Sequence, residues 1–140
     1  MSGLLRTLVW TGSFTIGNAL LDAQHVKIVN VINEMITSHN AGGLDVHSPA
    51  FREVMNRLEE SCEKHFEAEE ALFEHAGLPA LAELKADHQA FQRAVAIAWH
   101  KVTTKEYDDP TEFLHFLRDW WEEHIRVKNM AHKRSLGSPG

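Results

Sequence analysis

The chain has 140 residues, 44% of them hydrophobic and 24% charged, with a formal net charge of -6. That length supports one domain with a sizeable core. The acidic balance and the absence of a Lys/Arg cluster argue against a nucleic-acid or anionic-membrane surface, and no stretch approaches the roughly 20 apolar residues of a membrane span.

The N-terminal stretch "MSGLLRTLVWTGSF" holds only a short apolar run, broken by Arg6, without a signal-peptide pattern. The one cysteine, Cys62, has no internal disulfide partner and falls on an apolar stripe, so it reads as a buried small hydrophobe. Together these predict a reducing, cytoplasmic setting. "VWTGSFTIGN", with two glycines among aromatic and β-branched residues, predicts an irregular arm folded across the domain, with Trp10 covering an end.

Four long segments with helical periodicity follow. The first carries Leu21, His25, Ile28, Ile32 and Met35, and "AGGLDVHSP" (residues 41–49) interrupts it. Ser48 followed by Pro49 predicts an N-cap and a first-turn proline. The second segment runs from Pro49 to about Glu74, with Phe51, Met55, Leu58, Cys62, His65, Glu69, Leu72 and Phe73 in its stripe, and ends at the turn "AGLP". The third carries Leu81, Leu84, His88, Phe91, Val95 and either Trp99 or Val102. "YDDP" then predicts Asp109 as N-cap, Pro110 as the first helical residue and Glu112 completing a capping box. The fourth carries Phe113, Phe116 or Leu117, Trp120, His124 and Val127 or Lys128. With no strand pattern, repeat or linker, the expectation is an all-α, antiparallel up-down four-helix bundle over residues 1–133, with residues 134–140 as a loose tail.

Each stripe contains a histidine where a core residue belongs: His25, His65, His88 and His124. The second adds Glu69 one turn beyond His65, on the same helix face. A single histidine on an apolar face is usually a satisfied core residue. Four on four stripes, with a carboxylate, point instead to a shared metal ion, because buried charge and imidazole are costly unless paired or ligated. The remaining histidines, at positions 39, 47, 75, 100, 115 and 132, fall near helix ends, in turns or off the stripes and read as solvated, as does Glu70. Trp120 and Trp121 read as packing at the core and its rim. There is no H-E-x-x-H or C-x-x-C motif, and Glu112–His115 is an unpaired Glu-x-x-His, so zinc-protease and ferritin-like sites are not indicated.

The pieces "LLDAQHVKIVNVINEM", "HFEAEEALF", "LPALAELKADHQAF" and "WWEEHIRVKN" resemble the hemerythrin family in its bacterial form, over nearly the whole chain. The family's D-x-Q-H, H-F-x-x-E-E and W-L-x-x-H-I motifs map onto His25, onto His65 with Glu69, and onto His124. The resemblance implies a non-heme di-iron centre binding O2 or another small diatomic ligand, with His25 and His65 on the O2-binding iron, His88 and His124 on the other, and Glu69 bridging. Two positions depart. The family's third helix reads H-x-x-x-H-x-x-F, and here the first histidine position is Leu84. The bridging aspartate five residues after the last histidine is Asn129, a neutral amide that bridges poorly. Glu83 and Asp87 flank the site but point off the stripe.

Three readings stay open: an O2 carrier, store or sensor; an iron enzyme acting on peroxide or NO at an extra open position; and a binding or signalling module holding one ion, such as Zn2+ or Fe2+, or none. No general acid or base stands on the stripes beyond the ligands themselves, so catalysis is the less favoured of these. Oligomeric state is not legible.

Overall fold

In the computed structural model of the protein, the structure describes residues 4–9, 15–104 and 109–129, with side chains as far as Arg126. Four α-helices form an antiparallel up-down bundle: α1 (Ala19–Asn40), α2 (Pro49–His75), α3 (Leu81–Thr103) and α4 (Thr111–Glu123). A π-helical segment, His124–Asn129, continues α4. No strand occurs among the described residues, and no described helix is long and apolar enough to cross a membrane.

Local chemistry sets the helix boundaries. Asn18 accepts the Leu21 N–H at 3.1 Å to open α1. Ser48 does the same for Phe51 at 3.1 Å, with Pro49 as the first residue of α2. Beyond the end of α2 at His75 and its cap Ala76, Gly77 turns the chain with a φ of 66°, the left-handed conformation that glycine tolerates best. Leu78 N–H then reaches back to the Phe73 carbonyl at 3.0 Å. The start of α4 departs from expectation by one residue. Pro110 precedes the helix, and Asp109 caps from two residues ahead, accepting the Thr111 N–H at 3.0 Å and the Thr111 hydroxyl at 2.6 Å. This is an Asx-type turn, in which the carboxylate bonds two residues on instead of three.

The buried faces follow the four apolar stripes, except that in α4 Trp121 and not Trp120 is the fully buried tryptophan, and divide into two clusters. The larger runs through Ile28, Ile32, Met55, Leu58, Phe66, Phe91, Leu117 and Trp121. The smaller, at one end, joins Ile16, Leu21, Phe73 and Leu84. Cys62 is buried in the larger cluster, and burial, helped by Glu59, pushes its thiol pKa up.

The N-terminal arm lies lengthwise, antiparallel to α1. Asn40 accepts the Leu5 N–H at 2.8 Å and donates to the Leu5 carbonyl at 2.9 Å. Asn33 pairs with both backbone groups of Leu8 in the same way, at 2.8 and 2.7 Å. The Asp22 carboxylate holds the N–H groups of Ile16 and Gly17 at 3.0 and 3.1 Å. Arg6 reaches Glu122 of α4 at 3.5 Å. The arm thus follows α1 and touches α4 instead of crossing the bundle; Trp10 and residues 134–140 lie outside the described residues.

Replacing Ser48 with alanine leaves the Phe51 N–H without its acceptor. The expected cost is about 1 kcal/mol of stability, seen as a lower urea midpoint with an unchanged m-value.

Candidate metal centre

The five residues singled out on the stripes meet between the two apolar clusters. His25, His65 and Glu69 are 0% exposed, His88 1% and His124 3%. Each helix delivers its share by register alone: α1 places His25 one turn after Leu21, α2 places His65 and Glu69 one turn apart, α3 places His88 one turn after Leu84, and His124 opens the π-helical segment. π-helical turns recur at functional sites.

Glu69 is the hub. Its Oε1 lies 2.9 Å from His88 Nε2 and 3.0 Å from His124 Nε2. Its Oε2 lies 3.3 Å from His65 Nε2 and 3.2 Å from His124 Nε2. His25 Nε2 and His65 Nε2 face each other at 2.9 Å. One carboxylate oxygen therefore serves the His65 side and the other the His88 side, with His124 in reach of both. Burial alone would raise the Glu69 pKa; the charge and N–H of His124, with the bonds from His65 and His88, outweigh it and hold the carboxyl well below its usual range. For His65, burial dominates and lowers its pKa against the opposing pull of Glu69.

Two partners at the outer ring nitrogens were not legible as such. His65 Nδ1 contacts Gln24 Oε1 at 2.9 Å. His88 Nδ1 contacts Glu70 Oε2 at 2.7 Å. Glu70, expected to be solvated, is only 28% exposed at its side chain. Both residues stand one position from a stripe residue, so they face sideways towards a neighbouring helix. Aromatic rings fill the space around the imidazoles. Phe66 stacks on His88 with centroids 3.9 Å apart, and Trp120 on His124 at 4.8 Å. Trp121 is the core member of the tryptophan pair, fully buried, and Trp120 the rim member.

Leu84 packs with Ile16, Leu21 and Phe73, so its position offers no donor and completes the end cluster. Glu83 is exposed. Asp87 is half-buried and lines a cleft of about 170 Å3 with Trp120, Glu123 and His124. The Asn129 side chain and His132 lie outside the described residues. His47, His75, His100 and His115 are exposed as expected, whereas His39 is half-buried and contacts the Thr111 hydroxyl at 3.2 Å.

The donor set suits a metal ion. One donor atom from each of His25, His65, Glu69 and His124 lies within 4.8 Å of the others. Metal–nitrogen bonds of about 2.0–2.1 Å place neighbouring ligand atoms about 3 Å apart around an octahedral ion. The contacts of 2.9 to 3.3 Å around Glu69 and between His25 and His65 have that spacing.

Residues 16–131 match the hemerythrin HHE cation binding domain. The chain belongs to the hemerythrin family. Among its relatives are the bacteriohemerythrin of Stenotrophomonas maltophilia (strain R551-3), 30% identical over 91% of this chain and 80% of that protein, and the bacteriohemerythrin of Pseudomonas aeruginosa (strain LESB58), 33% identical over 85% and 74%. A crystal structure of wild-type hemerythrin superposes with a TM-score of 0.77 at 21% identity, covering 95% of this chain and all of that one. The helices that carry the histidines of this chain share that fold.

The titrations have a stability consequence in metal-free protein. His65 is held below its ordinary value of 6.5, so the unfolded chain accepts a proton that the folded one resists. Its contribution is full above about pH 6.5 and falls as pH drops towards the folded value; that of Glu69, whose pKa is depressed, is lost in the same direction at lower pH. Urea midpoints of the apo protein should therefore fall between about pH 7.5 and about pH 5.5, and fall less in His65→Asn.

Proposed function

We propose that this hemerythrin is a cytoplasmic non-heme iron protein whose centre is held by His25, His65, Glu69, His88 and His124, and that it takes O2 or another small ligand on the side of His25 and His65. The observation that carries the reading is the pair of outer contacts. With Nδ1 of His65 against Gln24 and Nδ1 of His88 against Glu70, each ring can donate outward and leave its Nε2 lone pair free for a metal ion held beside Glu69. A histidine oriented by an amide or carboxylate at its far nitrogen is the usual arrangement of a metal ligand. Bound iron would supply a redox-active centre with room for an exogenous ligand; the chain supplies the imidazoles, the carboxylate and a water-poor aromatic surround.

Leu84 weakens one half of this set. His88 and His124 keep Glu69 between them, but the next turn of α3 presents a hydrocarbon packed against Phe73. Asn129 adds a neutral amide where the family pattern has an aspartate. Fewer than two firmly bound irons per chain are expected, with a weak oxygenated spectrum, because loss of even an outer partner costs a metal site about 10–100-fold. Iron per chain and the visible spectrum of anaerobically purified protein test this. Leu84→His with Asn129→Asp should raise both, and two tightly held irons with a reversible O2 spectrum in the unmodified chain would overturn the weight placed on these positions.

A second reading is a single-ion site, with iron or zinc, serving a binding or signalling role. The mutual proximity of donors from His25, His65, Glu69 and His124 favours it. Metal analysis separates the two, since zinc at one ion per chain with no colour supports the second. On the first reading Glu70→Ala, which removes the outer partner of His88, should weaken metal binding by about 10–100-fold, measured by competition with a chelator, while the helical content stays unchanged.

A further inference from the structure

Trp121 is fully buried, and its Nε1 has no hydrogen-bond partner among the described residues. Buried donors in folded chains are almost always paired, so an orphan asks for an explanation. Its surroundings narrow the choice. On one side the indole meets hydrocarbon and aromatic rings: it lies nearly parallel to Phe66, with centroids 5.5 Å apart, and edge-on to Phe91 at 5.8 Å. On the other it meets three rings of the metal centre, His124 at 5.3 Å, His65 at 5.6 Å and His25 at 6.4 Å. The indole thus stands against three imidazoles of the donor layer without a hydrogen bond to any of them. In the fourth-helix motif W-L-x-x-H-I, the position of Trp121 is a leucine, which has no donor to offer.

We propose that Trp121 is a ligand-recognising residue, its indole N–H being the hydrogen-bond donor for a small anion, or for the anionic end of a diatomic ligand, held at the metal centre beside His25 and His65. The proposal rests on the reading of the site as an iron centre with an exogenous ligand position. A neutral donor in a dry, aromatic surround strengthens an anion's binding without adding a proton that titrates, and it selects ligands carrying a terminal acceptor over those that do not. It gives the centre a preference that its imidazoles alone do not.

Azide is the probe. Its dissociation constant is read from the charge-transfer absorbance of the oxidised, iron-loaded full chain, and its bound stretch from the infrared spectrum in H2O and D2O. In the unmodified protein the stretch should shift on deuteration. Trp121→Phe keeps a ring against Phe66 and removes the N–H. With iron content unchanged, it should weaken azide about tenfold or more and abolish most of the isotope shift. Trp121→Leu should weaken azide as well. Equal affinity in wild type and Trp121→Phe overturns the proposal, and tighter binding in Trp121→Leu alone assigns the residue a space-filling role instead. If neither variant folds, the isotope shift of the unmodified protein decides: a band insensitive to D2O overturns the proposal. An iron-loaded chain that binds no azide overturns both the proposal and the exogenous-ligand reading, whereas azide bound without help from Trp121 overturns the proposal alone.

Discussion

One buried carboxylate organises this molecule. Glu69 has no exposed surface, and a charged group in such a place is tolerated only with partners on every lone pair. Those partners come from α2 itself, from α3 and from the segment that continues α4, with α1 attached through the contact between His25 and His65. All four helices are therefore referred to one side chain. Helix packing by hydrocarbon alone tolerates small slips in rotation and height, because many apolar arrangements have nearly the same energy. A carboxylate with three imidazoles at 2.9 to 3.3 Å does not. The interaction that costs most to bury is also the one that selects a single alignment of the bundle.

The same arrangement explains how a polar layer survives in a core of this size. The aromatic residues act as its walls. Phe66 lies on His88 and Trp120 on His124, so the imidazoles present flat faces to carbon and only their edges to polar atoms. Gln24 and Glu70 complete the edges that face outward, towards the partly exposed ends of their side chains. His65 and His88 are thus held at both ring nitrogens, the condition under which buried polar groups specify a structure instead of weakening it.

Much of this was legible in the sequence. A helical stripe is a strong signal, and a histidine or carboxylate within it stands out because nothing else in the stripe is polar; His25, His65, Glu69, His88 and His124 all lie buried where their stripes place them. Residues one step off the stripe carry no such contrast. Gln24 and Glu70 look like any solvated position on a helix until the neighbouring helix is known to approach that side. Trp120 and Trp121 are adjacent; the stripe picked out Trp120, whereas Trp121 is the one that turns fully inward and Trp120 stays half-buried. The arm was recognisable as irregular, but its course along α1 depends on Asn33 and Asn40, whose amides pair with the backbone of Leu8 and Leu5 from helix positions that read as ordinary surface. Asp109 shows a finer limit: an Asx turn and an N-cap have the same residue preference and differ by one position.

The division of the core into two clusters has a dynamic consequence. Ile16, Leu21, Phe73 and Leu84 form a small apolar cap separated from the main core by the layer of imidazoles and Glu69. Small apolar groups with few neighbours are the parts of a protein that open first, at free energies well below that of global unfolding. The cap is joined to the rest through helix backbone and through the polar layer, so whatever binds that layer also latches this end of the bundle. Local opening here, with fraying of the first turns of α1 and α3 and the last turn of α2, would bring solvent and small solutes to a centre whose residues are at most 3% exposed in the closed bundle, and Leu84, which packs with Ile16, Leu21 and Phe73, would be part of what opens.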